Sequence, residues 1–104
     1  NTRRLPRQLK NFIRDTHIQF QQDHTKKVTL LNLTTHDRPG LLYLVSTVFT
    51  EQQLRLRSAR IVTEGAIAQD SFELTDANDQ PVTDSLSLNR LKQALQEKLD
   101  QPVV

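Results

Sequence analysis

The sequence predicts an α+β fold in which an antiparallel sheet carries two helices on one face. Three observations predict it. Apolar and polar residues alternate in four separate stretches, which is the period of half-buried strands. Two other stretches switch to three- and four-residue spacing, the period of amphipathic helices. The stretches follow one another in the order β–β–α–β–β–α.

The elements can be taken in order. Residues 1–11 are polar and basic with Pro6, and read as linker. "DTHIQFQQ", residues 15–22, puts Ile18 and Phe20 on one face and His17 and Gln19 on the other, so it reads as a strand. "DHTKK", 23–27, is a polar turn. "VTLLNLT", 28–34, is a second strand, β-branched and Leu-rich, with Leu31 and Leu33 on one face. In 40–53 the period changes. Leu41, Val45, Val48 and Phe49 form one buried stripe of a helix, which Leu42 and Leu44 widen. Pro39 is expected in the first turn of that helix, and Asp37 is the candidate N-cap.

"LRLRSARIVT", 54–63, begins with Leu54 and Leu56 in phase and continues with Ala59 and Ile61 out of phase. A slip of one residue within a strand predicts a bulge near Ser58–Ala59. Glu64–Gly65 is expected to form a two-residue hairpin turn. The next strand, 66–76, carries Ala66, Ala68, Phe72 and Leu74 on one face. "ANDQP", 77–81, is turn chemistry. Thr83 or Asp84 then caps a last helix with the stripe Leu88, Leu91, Leu95 and Leu99. Two one-sided helices need one face of a sheet, which is the ferredoxin-like sandwich. That plan closes with a fourth strand beside the first. The hairpin-linked 15–22 strand can fill this edge, and the tail "PVV" competes for it.

Composition narrows the function classes. The chain has 104 residues, no cysteine and a net charge of +2. That length suits one domain. Without cysteine there is no thiolate catalysis, no Cys-ligated zinc and no disulfide framework, which fits a reducing, cytoplasmic setting. Arg3, Arg4, Arg7, Lys10 and Arg14 cluster near the start, but the interleaved aromatics of a single-strand binder are missing. Neither a nucleic-acid nor a membrane partner is expected. No run of 18 apolar residues is present. The chain starts on Asn1 and holds no Met, which suggests a segment of a longer protein.

Three blocks then stand out: "DRPGLL" at Asp37–Leu42, "ARIVTEG" at Ala59–Gly65 and "DSFELTDANDQP" at Asp70–Pro81. In this order and at this spacing they resemble the ACT domains, small-ligand regulatory modules. Among these they are most similar to the C-terminal ACT repeat of the bacterial bifunctional PII uridylyltransferase/uridylyl-removing family. The resemblance covers about residues 15–99, and "RRLPRQL" resembles that family's inter-repeat linker. It implies a linker over 1–14 and a single ACT regulatory domain over 15–104. It also implies an amino-acid ligand, glutamine, at an interface with a neighbouring ACT repeat or a second copy. The PII signalling protein would be a partner of the parent enzyme. UTP and a divalent metal are implied for that parent alone, with no cofactor and no catalytic activity in this segment.

The chemistry of the joint at 35–42 supports a ligand independently. A helix start offers open backbone N–H groups and the positive end of its dipole. Gly40 lets a carboxylate approach the backbone, and Arg38 can add charge-assisted bonds. The candidate site is therefore His36, Asp37, Arg38, Gly40, Leu41 and Leu42. The resemblance adds Arg60, Ile61, Val62 and Thr63 as the facing strand. A strand-to-helix turn also needs a cap and a Gly or Pro when nothing binds, so a docking module that takes no small ligand stays open. So does the ACT domain of a transcriptional regulator. Two departures from the family pattern bear on this. Gln53 and Arg55 stand where many amino-acid-binding ACT domains have a glycine and a small polar residue. Asp79 stands where the family has a turn glycine.

Asp70 falls among apolar positions of its strand and needs a partner, for which Arg60 on the neighbouring strand is the candidate. The histidines, His17, His24 and His36, match no compact metal motif.

Overall fold

The computed structural model describes residues 16–100. The linker and tail expectations fall on residues outside that range. In chain order the elements are β1 (His17–Asp23), β2 (Val28–His36), α1 (Leu41–Glu51), β3 (Arg55–Glu64), β4 (Ile67–Thr75) and α2 (Ser85–Leu99). They form one four-stranded sheet in the order β1-β2-β4-β3, with every neighbouring pair antiparallel. This is the ferredoxin-like α+β arrangement. The edge beside β2 is filled by β1, as its hairpin link predicts.

Register decides what is buried. Ile18 lies opposite Leu33, Leu31 opposite Phe72, and Leu33 opposite Asp70. Those positions share the face on which the helices pack. The core therefore joins Ile18, Leu31, Leu33, Ala68, Phe72 and Leu74 from the sheet to Leu41, Val45, Val48 and Phe49 of α1 and Leu91, Leu95 and Leu99 of α2. The rings of Phe49 and Phe72 meet edge to face, 5.3 Å apart at 73°. Such a pair adds about 0.5–1.5 kcal/mol beyond the area it buries. Leu44 packs against this core, but Leu42 is 45% exposed, so the α1 stripe is narrower than the sequence suggests.

Buried hydroxyls hold the loops to the sheet. Thr29 accepts the Val82 N–H at 2.8 Å, which pins the β4–α2 connection beneath β2. That connection turns around Asp76, whose carboxylate accepts the N–H groups of Asn78 and Gln80. Asp79 takes φ 62 there, in the place of the family's glycine. Asp84 is the cap of α2: its carboxylate accepts the Ser87 N–H at 2.9 Å.

The predicted slip in β3 is present as a register shift between Leu56 and Ser58. It brings Leu56, Ala59, Ile61 and Thr63 onto one face. The β3–β4 turn is displaced by one residue from the sequence expectation. Glu64 pairs with Ile67, so Gly65 and Ala66 form the turn and Ala66 leaves the strand. Gly65 supplies the left-handed conformation, φ 61.

The end of α1 is a Schellman motif. The Gln53 N–H donates to Thr50 O and the Leu54 N–H to Phe49 O, while Gln53 holds φ 60. Leu54 then packs onto the core. A side chain in the left-handed region costs about 1–2 kcal/mol, and glycine there costs about 0.5–1 kcal/mol in entropy. Gln53→Gly is therefore expected to stabilise the domain by about 0.5–1 kcal/mol. A thermal melt checks this, and a lowered Tm would contradict the assignment.

Candidate ligand-binding site

The joint between β2 and α1 is built on a tight turn. The Leu41 N–H donates to Arg38 O at 3.2 Å, closing a four-residue turn over Arg38–Leu41. Gly40 sits at its third position with φ 74 and ψ 14, the geometry a type II turn demands there. Pro39 fits the second position of the same turn. Two expectations are corrected here. The helix starts at Leu41, so Pro39 lies in the turn and not in the helix. The N-cap is Gly40 and not Asp37, and no side chain caps this helix.

Leu44 donates its N–H to Gly40 O, and Leu41 uses its own in the turn. The amides of Leu42 and Tyr43 are thus the open donors of the first turn. Around Gly40 there is clear space: a Cβ built there meets nothing within 4 Å. The Leu41 side chain belongs to the core, while His36, Asp37, Gly40 and Leu42 are exposed.

Arg38 has a role that sequence reasoning missed. Its guanidinium donates to Leu99 O at 2.7 Å, at the end of α2. It also donates to Thr35 Oγ1 at 3.3 Å and to His36 O at 3.2 Å. The Thr35 hydroxyl meets that of Thr16 at 2.8 Å, and Thr16 Oγ1 donates to Asp100 Oδ1 at 2.5 Å. Arg38 is thus bound into the protein as a clamp between the joint, α2 and the start of β1. The available signal was the inward phase of Thr16 and Thr35, since a hydroxyl on a core face needs a partner.

The facing stretch, Arg60–Thr63, lies on β3. Thr63 pairs with Ala68, and Ala68 with Thr35, so it stands at the same end of the sheet as the joint. Two strand spacings, roughly 10 Å, separate them. Ile61 and Thr63 share the helix side with the joint, whereas Arg60 and Val62 point to the open face of the sheet. Within one chain these residues do not converge on the joint. Nor do two shallow depressions include any residue of Asp37–Leu42. One, of about 340 Å³, is lined by Asn32, Leu33, Thr34, Arg60, Val62, Gln69, Asp70 and Ser71. The other, of about 430 Å³, lies at the far end by Gln53, Asp76 and Arg90. The joint alone is a shelf that requires a second wall.

Every residue of β3 is exposed, and its outer edge pairs with no strand among the described residues. Leu56, Ile61 and Val62 are 39%, 47% and 42% exposed. Arg55 does not approach the joint. With Arg57 it binds Asp79, at 2.9 and 3.1 Å, at the opposite end of the sheet.

Asp70 is 3% exposed, and its Oδ1 is buried without a hydrogen-bond partner. The expected pairing with Arg60 is corrected: Arg60 lies opposite Ser71, one residue out of phase, and so projects from the other face. Burial pushes the Asp70 carboxyl above its ordinary value; the Val62 backbone opposes this and the nearby Asp37 adds to it. A carboxyl raised on folding stabilises the protein at low pH and loses that contribution as pH climbs from the unfolded value through the folded one. Asp70→Asn is thus expected to raise Tm at pH 7 relative to the native chain, with the gap narrowing towards pH 4. Melts across that range check this; a gap that does not change with pH would contradict it.

Among the described residues no group of three or more His, Asp or Glu side chains could hold a metal ion. No described helix is long and apolar enough to cross a membrane.

The chain is 41% identical over 100 residues to a bifunctional uridylyltransferase/uridylyl-removing enzyme of Ectopseudomonas mendocina, an alignment covering 96% of this chain. It is 41% and 40% identical over 97 residues to the proteins of that description from Pseudomonas fluorescens and Pseudomonas putida, covering 93% of this chain. In each case it spans 11% of the relative's length. No family model matches the chain, and no solved structure matches it. Along almost all of its length, this chain is homologous to one domain-sized segment of the bifunctional uridylyltransferase/uridylyl-removing enzymes, and that segment has the ferredoxin-like architecture of an ACT domain.

Proposed function

We propose that this chain is a regulatory, amino-acid-sensing domain, with glutamine as its ligand, of an enzyme that adds uridylyl groups to the PII signalling protein and removes them. The observation that carries the reading is the joint: an uncapped helix start with two open amides beside a glycine that leaves clear space. The ligand carboxylate would sit on the amides of Leu42 and Tyr43. The second wall would come from β3 of a neighbouring ACT repeat or of a second copy. The ligand would then favour one packing of the two domains over another. It can do so only to the extent that it binds the two packings unequally. UTP and metal chemistry would belong to other parts of the parent enzyme.

Calorimetric titration with L-glutamine to millimolar concentration tests this, with L-glutamate and L-serine as controls. Saturable heat with glutamine alone is expected. Gly40→Ala is expected to fold, since its Cβ has room, at a backbone cost of about 1–2 kcal/mol, and to weaken that binding. No saturable heat with any of the three amino acids would sink the version in which a second copy of this chain closes the site, and the same titration on a chain carrying both repeats then decides the sensor reading.

The exposed β3 favours a second reading, a docking module that binds nothing small. Its apolar residues and free edge are what a strand-pairing partner covers. Ile61→Lys is expected to abolish self-association in sedimentation while leaving the monomer's Tm nearly unchanged. A native chain that is monomeric at high concentration would remove the second-copy version of this reading.

A further inference from the structure

The sheet face opposite the helices holds a depression that neither reading above uses. Asn32 and Thr34 of β2, Gln69 and Ser71 of β4, and Arg60 and Val62 of β3 line it, around a volume of about 340 Å³. Register sets them in two rows. Asn32 lies opposite Ser71, and Ser71 opposite Arg60. Thr34 lies opposite Gln69, and Gln69 opposite Val62. Strands about 4.8 Å apart bring the side chains of a row within reach of one small ligand. Leu33 and Asp70 lie between the rows on the same strands and alternate to the core side.

The lining is rich in donors that the protein itself does not use. The Ser71 hydroxyl donates to Asn32 Oδ1 at 2.9 Å. That occupies the oxygen and leaves the Asn32 amide nitrogen to donate. Thr34 and Gln69 make no side-chain bond among the described residues. Arg60 is the decisive group. Arg55 and Arg57 of the same strand share Asp79, whereas Arg60 has neither an ion pair nor a hydrogen bond among the described residues. The acids of this face stand outside the two rows. Glu73 is held by Lys26 at 3.0 Å, and Glu64 lies at the end of β3, opposite Ile67. Asp70, the one acid in the lining, is 3% exposed.

The geometry points to a binding site for a small oxyanion, a carboxylate or a phosphate, with Arg60 as its counter-charge and Asn32, Thr34 and Gln69 as neutral donors. A guanidinium presents a fork that matches either group through two parallel bonds. The amides and the hydroxyl approach the anion from the neighbouring strands and fix its direction. The volume is at the low end of small-molecule sites, which favours a compact ligand. The shelf at the joint lies on the helix side, so this site is independent of the sensor reading.

Titration with sodium phosphate and with sodium succinate, at an ionic strength fixed with sodium chloride and followed in proton–nitrogen correlation spectra, tests this. Saturation at roughly millimolar anion is expected, the level of one charged and two neutral hydrogen bonds. The side-chain signals of Asn32, Arg60 and Gln69 should move together. Arg60→Gln keeps most of the length and loses the charge, and should weaken binding roughly tenfold or more. Arg57→Gln removes an arginine of the same strand outside the depression and should leave binding unchanged. Melts confirm that both variants fold. Saturation by one anion alone supports the site and identifies the oxyanion. Shifts that never saturate, or that Arg57→Gln reduces as much as Arg60→Gln does, mean screening of surface charge only and overturn the site. The absence of any shift with both anions overturns it as well.

Discussion

The phase of the two central strands is the constraint on which this domain depends. β2 and β4 each present alternate residues to the helices, and their register locks Leu31 to Phe72 and Leu33 to Asp70. A shift by one residue would turn every one of these side chains to the open face. The helices follow from this choice. They bury Val45, Val48 and Phe49 on one side and Leu91, Leu95 and Leu99 on the other because the sheet offers an apolar surface on that face alone. The phase that builds the core also places Asp70 inside it. The core and the charged group within it are therefore one decision of register.

The bulge at β3 extends that decision to the edge. Without the register shift between Leu56 and Ser58, Ala59 and Ile61 would face the open side with the arginines. With it, β3 shows small and apolar residues on the helix side and Arg55, Arg60 and Glu64 on the other. A ten-residue strand exposed on both faces is an aggregation hazard in a free-standing protein. Lone edge charges do not remove that hazard here, because Leu56, Ile61 and Val62 remain open. Only the Thr63 end of that edge lies at the same end of the sheet as the joint.

Much of the fold was legible because period and phase are local properties. Six elements, the bulge and a cap at Thr83 or Asp84, which the structure assigns to Asp84, could be read from residues within a few positions of each other. The joint misled for a physical reason. Asp37 and Pro39 are good helix-start residues, but Pro-Gly is also the strongest signal for a type II turn, and the turn won because Gly40 alone could adopt its φ. The Arg60–Asp70 pairing failed because adjacency on neighbouring strands says nothing about faces until the bulge is counted. Arg38 was readable as a cation and not as a clamp. Its partner, the Leu99 carbonyl, lies 61 residues away, and no local pattern encodes that contact.

That clamp changes what the joint is. A loop bearing an unattached arginine could adjust to a ligand without disturbing the rest of the domain. Here the guanidinium holds the Leu99 carbonyl at the end of α2, Thr35 ties it to Thr16, and Thr16 holds Asp100. Thr16 and Asp100 are thereby linked through Thr35 and Arg38 to the turn that carries Gly40. The Thr16–Thr35 bond is buried and the Arg38–Leu99 and Thr16–Asp100 bonds are partly so, and breaking one costs most where it leaves a buried hydroxyl unmatched. The turn, the start of β1 and the end of α2 therefore move together or not at all.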